Sequence, residues 1–298
     1  MPQILVNTSA TISQTWEVDG TPTNPSPDAT TIGITRDDDT VLVAPGTATT
    51  DGGTGIATYP LTPAQTAELD VLTVTWTATF NALSNQVAAE YEIVGGMLFT
   101  ESQMRAVKVG GTLPFADPTA YPDAKILAIR DDVTDDFAER TGWSFVPRYA
   151  RRTITGDGTR NLLVPDMLVQ RVIAASINGT ALTAAELADL RTTRHGMITR
   201  KTLGVWTWDA DVVIAYVHGW ERVPGVINSA ALARAAMLLL PSQTSTVAQW
   251  TDPNGTTYAY DQAGQRIRGS SGVRHYGVPA IDAVLNELAY TAKGPAVA

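Results

Sequence analysis

The stretch GVINSAALARAAMLLL, residues 225–240, lies between Pro224 and Pro241 and is apolar or small at almost every position. A helix that is apolar on nearly all sides must be enclosed by its own chain or by partners. The leading proline suits the first turn of a helix, and the trailing proline stops its propagation. The run is too short to span a bilayer and contains Asn228 and Arg234. We therefore interpret it as the central helix of a bundle and not as a membrane segment.

Charge and length divide the chain into two parts. The 298 residues are enough for two domains of ordinary size. Residues 1–96 contain eleven Asp and Glu against one Arg, a balance of −10, whereas the remainder contains 19 acids and 20 bases, a balance of +1. The chain has no cysteine, which excludes disulfides and thiolate metal sites, and its three histidines are not spaced as zinc ligands. The first ten residues lack the basic and apolar regions of a secretory signal.

Residues 1–96 are predicted to form an all-β immunoglobulin-like sandwich. The run VLTVTWTATF, residues 71–80, alternates, so we expect its apolar side chains on one face and its threonines on the other. Trp16 and Trp76 are predicted to lie in the core, against the alternative that they form an exposed carbohydrate-binding or adhesive surface. Short runs rich in Thr, Val and Ile, separated by turn sequences, predict seven strands over residues 3–6, 11–18, 31–35, 40–44, 55–59, 71–80 and 87–94.

Residues 97–298 are predicted to form an α+β domain, a helical bundle with an antiparallel β-insert. Capping boxes at Thr100 and Thr183 begin short helices. Period-two patterns predict the β-insert over about residues 151–218, starting with a hairpin that turns at residues 156–158. The bundle helices are predicted over about 101–109, 123–141, 225–240 and 279–290. The buried stripe of the second helix is predicted to be Ile126, Ile129, Val133 and Phe137.

A polar, turn-rich segment follows the central helix over residues 242–278. A loop of this length in a compact domain is commonly a binding segment. It carries arginines beside tyrosines, and we expect these side chains to contact partners: Arg266, Arg268, Arg274, Tyr258, Tyr260 and Tyr276.

Residues 131–136 contain the best enzymatic candidate of the chain. Asp131 and Asp135 lie one helical turn apart, as do Asp132 and Asp136, and buried carboxylate pairs can bind a metal or divide into an acid and a base. No histidine accompanies them, and the sequence assembles no nucleophile with a base and an oxyanion hole. We therefore predict no catalytic, cofactor or metal residues and interpret the four aspartates as a solvated or subunit-facing edge. A hydrolase or cell-wall enzyme with an accessory sandwich is the alternative.

Three stretches of residues 97–298 resemble the head–tail connector (adaptor) proteins of long-tailed bacteriophages. YPDAKILAIRDDVTDDFAERTGW, residues 121–143, resembles the first long helix of the family and its aromatic entry into strands. AYVHGWERVPGVI, residues 215–227, is similar to the turn from the last strand into the apolar helix. DPNGTTY (252–258) with YGVPAIDAVL (276–285) resembles the glycine- and arginine-rich loop and the final helix.

The resemblance implies a structural virion protein, not an enzyme, that forms a ring of twelve subunits between the portal and the stopper or tail. Such a protein lies in the virion neck, is assembled in the host cytoplasm and needs no cofactor or membrane. DNA would pass through its channel without specific binding, because a channel that must release DNA should not bind phosphates strongly. The arginines of residues 242–278 would then pair with acidic groups of protein partners. The N-terminal sandwich lies outside the resemblance and looks like the immunoglobulin-like decorations of phage structural proteins.

Limited proteolysis tests the predicted boundary between residues 1–96 and 97–298. Cleavage near Gly95-Gly96 should release a stable acidic fragment of about 100 residues, because domain boundaries fall in accessible connectors. The fragment mass is measured by mass spectrometry. A single protease-resistant core that spans Gly95-Gly96 would contradict the division.

Overall fold

The computed structural model describes residues 1–25, 30–51, 55–81, 83–202, 204–240, 249–251, 257–259 and 279–292. The chain divides into two compact units, Met1–Gly95 with Arg148–Arg151, and Gly96–Pro147 with Arg152–Ala298. The first unit is all-β, and the second combines helices with small sheets. This agrees with the predicted classes of the two parts. The sequence pattern does not predict that Arg148–Arg151 belongs to the first unit.

Each of the seven strand-rich runs predicted in the first unit contains a strand. The strands are β1 (Gln3–Leu5), β2 (Ala10–Thr15), β3 (Glu17–Val18), β4 (Thr21–Pro22), β5 (Thr31–Arg36), β6 (Val41–Ala48), β7 (Thr50–Asp51), β8 (Ile56–Leu61), β9 (Asp70–Phe80) and β10 (Leu83–Val94). One sheet has the order β1-β10-β9-β5-β6, in which β1 pairs in parallel with β10 and the other neighbours are antiparallel. A second sheet has the order β2-β8-β7, and β3 pairs with β4.

The core of the first unit takes side chains from both larger sheets. The three-stranded sheet contributes Ile12, Ala57 and Leu61, and the five-stranded sheet contributes Ile32, Ile34, Leu72 and Val74. Trp76 is fully buried, and Trp16 is 5% exposed. The indole Nε1 of Trp16 donates to the hydroxyl of Thr30 at 3.0 Å. The prediction that both tryptophans lie in the core is confirmed, so neither ring is available to stack on a sugar.

Two arginines of Arg148–Arg151 contact the N-terminal segment of the same unit. Arg148 Nε lies 2.6 Å from Glu92 Oε1, and its Nη2 contacts the other oxygen of the same carboxylate. The Glu92 side chain is only 4% exposed, and a buried carboxylate is costly without a cationic partner. Arg151 Nη1 also donates to the backbone oxygen of Asp37 at 2.6 Å. A fragment that ends at Gly95 would therefore lack the partner of Glu92.

The helices of the second unit have nearly the predicted bounds. The elements after Gly96 are α1 (Glu101–Arg105), β11 (Lys108–Val109), a 3-10 turn (Pro114–Ala116), α2 (Asp123–Thr141), β12 (Arg148–Thr155), β13 (Asn161–Leu163), β14 (Arg171–Ile177), β15 (Thr180–Ala181), α3 (Ala184–Ala188), β16 (Leu190–Thr192), β17 (Met197–Arg200), β18 (Asp211–His218), α4 (Gly225–Leu239), β19 (Gln249–Thr251), β20 (Thr257–Ala259) and α5 (Pro279–Ala292). All belong to the second unit except the first four residues of β12, Arg148–Arg151. Both predicted capping boxes are present, at Thr100 and Thr183. The helix predicted over 101–109 ends at Arg105, because Lys108 and Val109 pair with β19 instead.

Helices α2, α4 and α5 pack against one another, and α1 packs against α2 and α4. The middle of α4 is enclosed on all sides, with the buried residues Ile227, Ser229, Ala230, Ala231, Leu232, Ala233, Ala235, Ala236 and Leu239. The ends are more open than predicted, since Val226 is 59% exposed and Leu238 is 42% exposed. At about 100° per residue, Arg234, Met237 and Leu238 lie within one arc of about 100°. All three are at least partly exposed, so this arc is the open side of the last turns.

The predicted β-insert forms two sheets, in the orders β12-β18-β14-β15 and β13-β17-β16. Strand β18 lies between β12 and β14, as predicted for residues 212–215. The prediction of a hairpin that turns at residues 156–158 is wrong, because β12 and β13 belong to different sheets. The N–H groups of Gly156 and Gly158 donate to the carbonyls of Ala210 and Trp206, each at 2.8 Å. A Cβ on Gly156 would lie 2.1 Å from the oxygen of Thr207. The missing side chain therefore allows the segment around Thr207 to pack against this turn.

Part of residues 242–278, predicted as one long loop, is a hairpin. Strand β19 pairs with β20 and with β11. The three form a small sheet that the sequence pattern did not predict. No helix within the described part of the chain is long and apolar enough to cross a membrane.

A matched pair of substitutions tests the enclosure of α4. Ala235→Asp places a charge at a fully buried position and should lower the free energy of unfolding by about 4 kcal/mol or more. Leu238→Asp lies on the open side and should change it by less than about 1 kcal/mol. Chemical denaturation of the two variants measures both values. Equal losses would contradict the assignment of an open side, and tolerance of Ala235→Asp would contradict the enclosure.

Candidate assembly site

Helix α2 presents its four aspartates in different directions. At about 100° per residue, Asp131 and Asp136 lie about 140° apart around the helix, with Asp132 and Asp135 between them. Asp131 is only 9% exposed, Asp132 is exposed, and Asp135 and Asp136 are partly exposed. The prediction that all four form one outward edge is therefore wrong for Asp131.

The buried side of α2 contains polar side chains beside its apolar stripe, and Asp131 lies at the edge of this buried side. Arg130 is 7% exposed, and its Nε and Nη2 lie 3.0 and 2.9 Å from Asp131 Oδ1. Thr134 and Thr141 are also buried, and their hydroxyls donate to the carbonyls of Arg130 and Phe137 at 2.8 Å. Because these groups find hydrogen-bond partners, they can lie beside the predicted apolar stripe without a large desolvation cost.

Asp136 faces its own bundle. Arg234 of α4 places its Nε 3.7 Å from Asp136 Oδ2, and the two side chains are 23% and 30% exposed. A partly exposed pair at this distance contributes on the order of 0–1 kcal/mol. Asp136 is thus directed toward α4, which leaves Asp132, with Asp135 beside it, as the outward acidic position.

A buried arginine joins α2 to α5. Arg140 Nη1 lies 2.7 Å from Asp282 Oδ1, and its Nη2 lies 2.9 Å from Asn286 Oδ1. The Arg140 and Asp282 side chains are 3% and 12% exposed. The sequence pattern did not predict this contact. The sequence does contain a feature that could have indicated this contact. Asp282 and Asn286 are polar residues one helical turn apart, beside the apolar residues of α5.

Arg105 connects the end of α1 to the start of α2. Its guanidinium lies 2.6 Å from Glu101 Oε1, contacts Asp123, and donates to the carbonyls of Phe115 and Tyr121 at 2.9 and 3.3 Å. The hydrogen bond from Arg105 holds the pKa of Asp123 below its ordinary value of 3.8. This ionic contact is therefore present at neutral pH and is lost only as the pH falls through that lowered pKa.

The β-insert contains a cluster of ionisable groups around Asp166. The hydroxyl of Tyr216 donates to Asp166 Oδ2, Arg152 Nε lies 3.4 Å from the same oxygen, and His218 Nε2 lies 3.9 Å from Oδ1. Burial raises the pKa of Tyr216, and Asp166 raises it further. Tyr216 is therefore a neutral hydrogen-bond donor that ties β18 to the loop after β13. Across the described ranges, no group of three or more His, Asp or Glu side chains could hold a metal ion.

Trp208 is an exposed aromatic residue that was not among the predicted contact residues. It is 75% exposed in the turn before β18, whereas Trp206 two residues earlier is fully buried. Tryptophan is among the residues that most often carry the energy of protein interfaces. The alternation in VWTWD, residues 205–209, was the available signal. Trp208 joins Asp132 as a candidate contact residue.

One of the six predicted contact residues after α4 lies within the described part of the chain. Tyr258 lies on β20, although its side chain is outside the described part. The others lie outside the described residues: Tyr260, Arg266, Arg268, Arg274 and Tyr276.

Comparisons with known proteins found distant structural likeness only. No family model and no curated protein matches the chain. One similar solved structure is a chain in the neck of an empty gene transfer agent particle, at 17% identity and a TM-score of 0.39, covering 53% of this chain and 85% of that chain. Another is a chain in the virion of a native gene transfer agent particle, at 17% identity and a TM-score of 0.40, covering 53% and 84%.

Alanine substitutions at two neighbouring aspartates test the geometry of α2. Asp131→Ala leaves the buried Arg130 without its carboxylate and should lower the free energy of unfolding by about 1–3 kcal/mol. Asp132→Ala removes the same charge from an exposed position and should change it by less than about 0.5 kcal/mol. Urea denaturation measures both. Equal effects would show that Asp131 is not held by Arg130.

Proposed function

We propose that this protein is a head-to-tail adaptor of a phage-like virion. In this role it forms a ring in the neck, between the portal and the stopper or tail, and encloses a channel for DNA. One observation carries the proposal. The three stretches that resemble the connector family include α2, the junction of β18 with α4, and the start of α5. Helices α2, α4 and α5 pack together in one unit. Strands β12 to β18 lie between α2 and α4 in the sequence, which is the order that the resemblance implies.

The site chemistry favours this proposal over the enzymatic alternative. A hydrolase would use carboxylates of residues 131–136 that are paired with one another. Asp131 is instead held by Arg130, and Asp136 faces Arg234 on the opposite flank of the helix. The carbohydrate-binding alternative needs exposed Trp16 and Trp76 rings, and both are buried.

The exposed groups of the second unit suit contacts with protein partners. Asp132 offers a negative charge, and Trp208 offers an aromatic surface. Arg266, Arg268 and Arg274, outside the described residues, would supply complementary positive charge from a neighbouring subunit or toward the portal. Such pairing leaves few cations for phosphates, which suits a channel through which DNA must move. Assembly would occur in the host cytoplasm.

The mass and symmetry of the purified protein test the proposal. Twelve copies of the 31.7 kDa chain amount to about 380 kDa. We expect a ring of that mass, alone or after mixing with the portal, by light scattering and negative-stain imaging. A protein that stays monomeric in both conditions would contradict the adaptor assignment.

Two triple variants separate protein contact from DNA contact. Replacing Arg266, Arg268 and Arg274 with alanine should weaken ring formation or portal docking. The matched control replaces Arg171, Arg191 and Arg194, which are exposed in the β-insert, and so removes the same charge. Loss of tight, salt-sensitive DNA binding in the first variant alone, with assembly unchanged, would assign these arginines to DNA instead.

A further inference from the structure

Trp208 lies beside the turn that follows β12 and exposes its indole to solvent. It is 75% exposed. A Cβ on Gly158 would lie 3.4 Å from Trp208 Cβ and 3.5 Å from its ring atom Cε3. The N–H of Asp209 donates to the carbonyl of Gly156 at 2.9 Å, so residues 156–158 and 208–209 are neighbours in space. No aromatic or cation–π contact within the described ranges involves Trp208.

Two exposed aspartates adjoin this indole. Asp157 precedes Gly158, and Asp209 follows Trp208. The N–H of Thr159 donates to Asp157 Oδ1 at 2.8 Å, and this hydrogen bond lowers the pKa of Asp157 below its ordinary value of 3.8. Asp157 is therefore charged at neutral pH. Among the side chains that the structure describes, neither carboxylate has a cationic partner.

Trp206, two residues earlier, shows how an indole is covered in this unit. The guanidinium carbon of Arg200 lies 5.5 Å from the centroid of the Trp206 ring. Arg200 Nη2 also lies 2.8 Å from Glu186 Oε1. The ring and the carboxylate thus contact the same guanidinium. Trp206 is fully buried in this arrangement.

Trp208 has the ring and the carboxylates of such an arrangement, and the described residues supply no arginine for it. We call the surface of Trp208, Asp157 and Asp209 the Trp208 face. Arg160 donates instead to the carbonyl of Lys201 at 3.0 Å. An arginine side chain suits the Trp208 face, because a guanidinium stacks on an indole and donates to carboxylates. An apolar group would cover the ring and leave both carboxylates without a cationic partner.

Residues 261–278 of the same chain carry the complementary charge. They contain Arg266, Arg268 and Arg274 against a single acid. Arg268 comes nine residues after Ala259, the end of β20, and nine residues can span up to about 30 Å. The segment is joined to β20 and α5, both in the second unit, so it stays near the surface of that unit at an effective concentration on the order of mM. This favours a segment of the same copy over another molecule in dilute solution.

We propose that the Trp208 face binds an arginine of residues 261–278 from its own copy of the chain. The guanidinium lies against the indole and donates to Asp157 or Asp209. One of the three arginines is enough for this contact, which leaves two for the partner contacts of the proposed function. The contact does not depend on ring assembly, so it can hold or fail independently of the adaptor assignment.

Acrylamide quenching of tryptophan fluorescence in the full chain tests this contact, because acrylamide quenches only the indoles that it can reach. The contribution of Trp208 is the difference between a protein and the same protein with Trp208→Phe. Replacing Arg266, Arg268 and Arg274 with alanine should raise the quenching of Trp208 several-fold. High salt should also raise it in the natural chain, since salt screens contacts between exposed charges.

Further variants test the chemistry of the contact. The control variant with three arginines of the β-insert replaced removes the same charge and should leave the quenching of Trp208 unchanged. Asp157→Asn together with Asp209→Asn removes both carboxylate charges and should raise the quenching, while circular dichroism stays unchanged. Quenching that is equal with and without the three arginines of residues 261–278 would overturn the proposal. Protection of Trp208 that survives the aspartate changes would overturn it as well, because it would show an apolar cover.

A mixture of two chains tests the source of the segment. A chain that keeps Trp208 and lacks the three arginines is co-expressed with a Trp208→Phe chain that keeps them. Trp208 should stay as accessible as in the first chain alone, because its own segment carries no arginine. Protection of Trp208 in the mixture would assign the contact to a neighbouring copy and overturn the proposal.

Discussion

The enclosure of α4 is the constraint on which the second unit depends. Its buried side chains include Ile227, Leu232 and Leu239, and each such side chain contributes about 1.5–3 kcal/mol when removed from water. Between them lie five buried alanines, and short side chains allow neighbouring helices to come close. Helices α1, α2 and α5 therefore pack around α4 and cover it.

Apolar burial is not directional, so polar contacts orient the elements around α4. Arg140 on α2 binds Asp282 and Asn286 on α5. Asn228 of α4 donates to the carbonyl of Leu98 at 2.6 Å, just before α1. These contacts are buried or partly buried and specific in geometry. They select one arrangement among the many that would cover the same apolar surface.

The first unit combines an acidic composition with two unequal sheet edges. Its excess of carboxylates acts against self-association, and its edge strand β6 carries a proline and register shifts. The only described strand beside the outer side of β10 is the three-residue strand β1. The buried Glu92 in the same strand depends on Arg148, which comes from much later in the chain. The first unit is thus completed by Arg148–Arg151, which follows its N-terminal segment by about fifty residues in the sequence.

Local pattern was enough to place most elements of this protein. Two-residue alternation identified β9 and the core positions of Trp16 and Trp76, and three- to four-residue spacing identified α2 with its observed bounds. The capping boxes at Thr100 and Thr183 were also predicted correctly. These features depend on neighbours within a few residues, which are visible in the sequence.

Tertiary structure decided how the elements pair and which polar groups are buried. The turn at residues 156–158 has hairpin composition, yet Gly156 and Gly158 bond to residues about fifty positions later. Asp131 belongs to an acidic run, yet it is buried. Arg130 binds its carboxylate, and buried threonines lie on the same side of α2. Strand pairing and burial depend on contacts between distant residues. These contacts depend on the three-dimensional arrangement of the chain, which the spacing of neighbouring residues does not show.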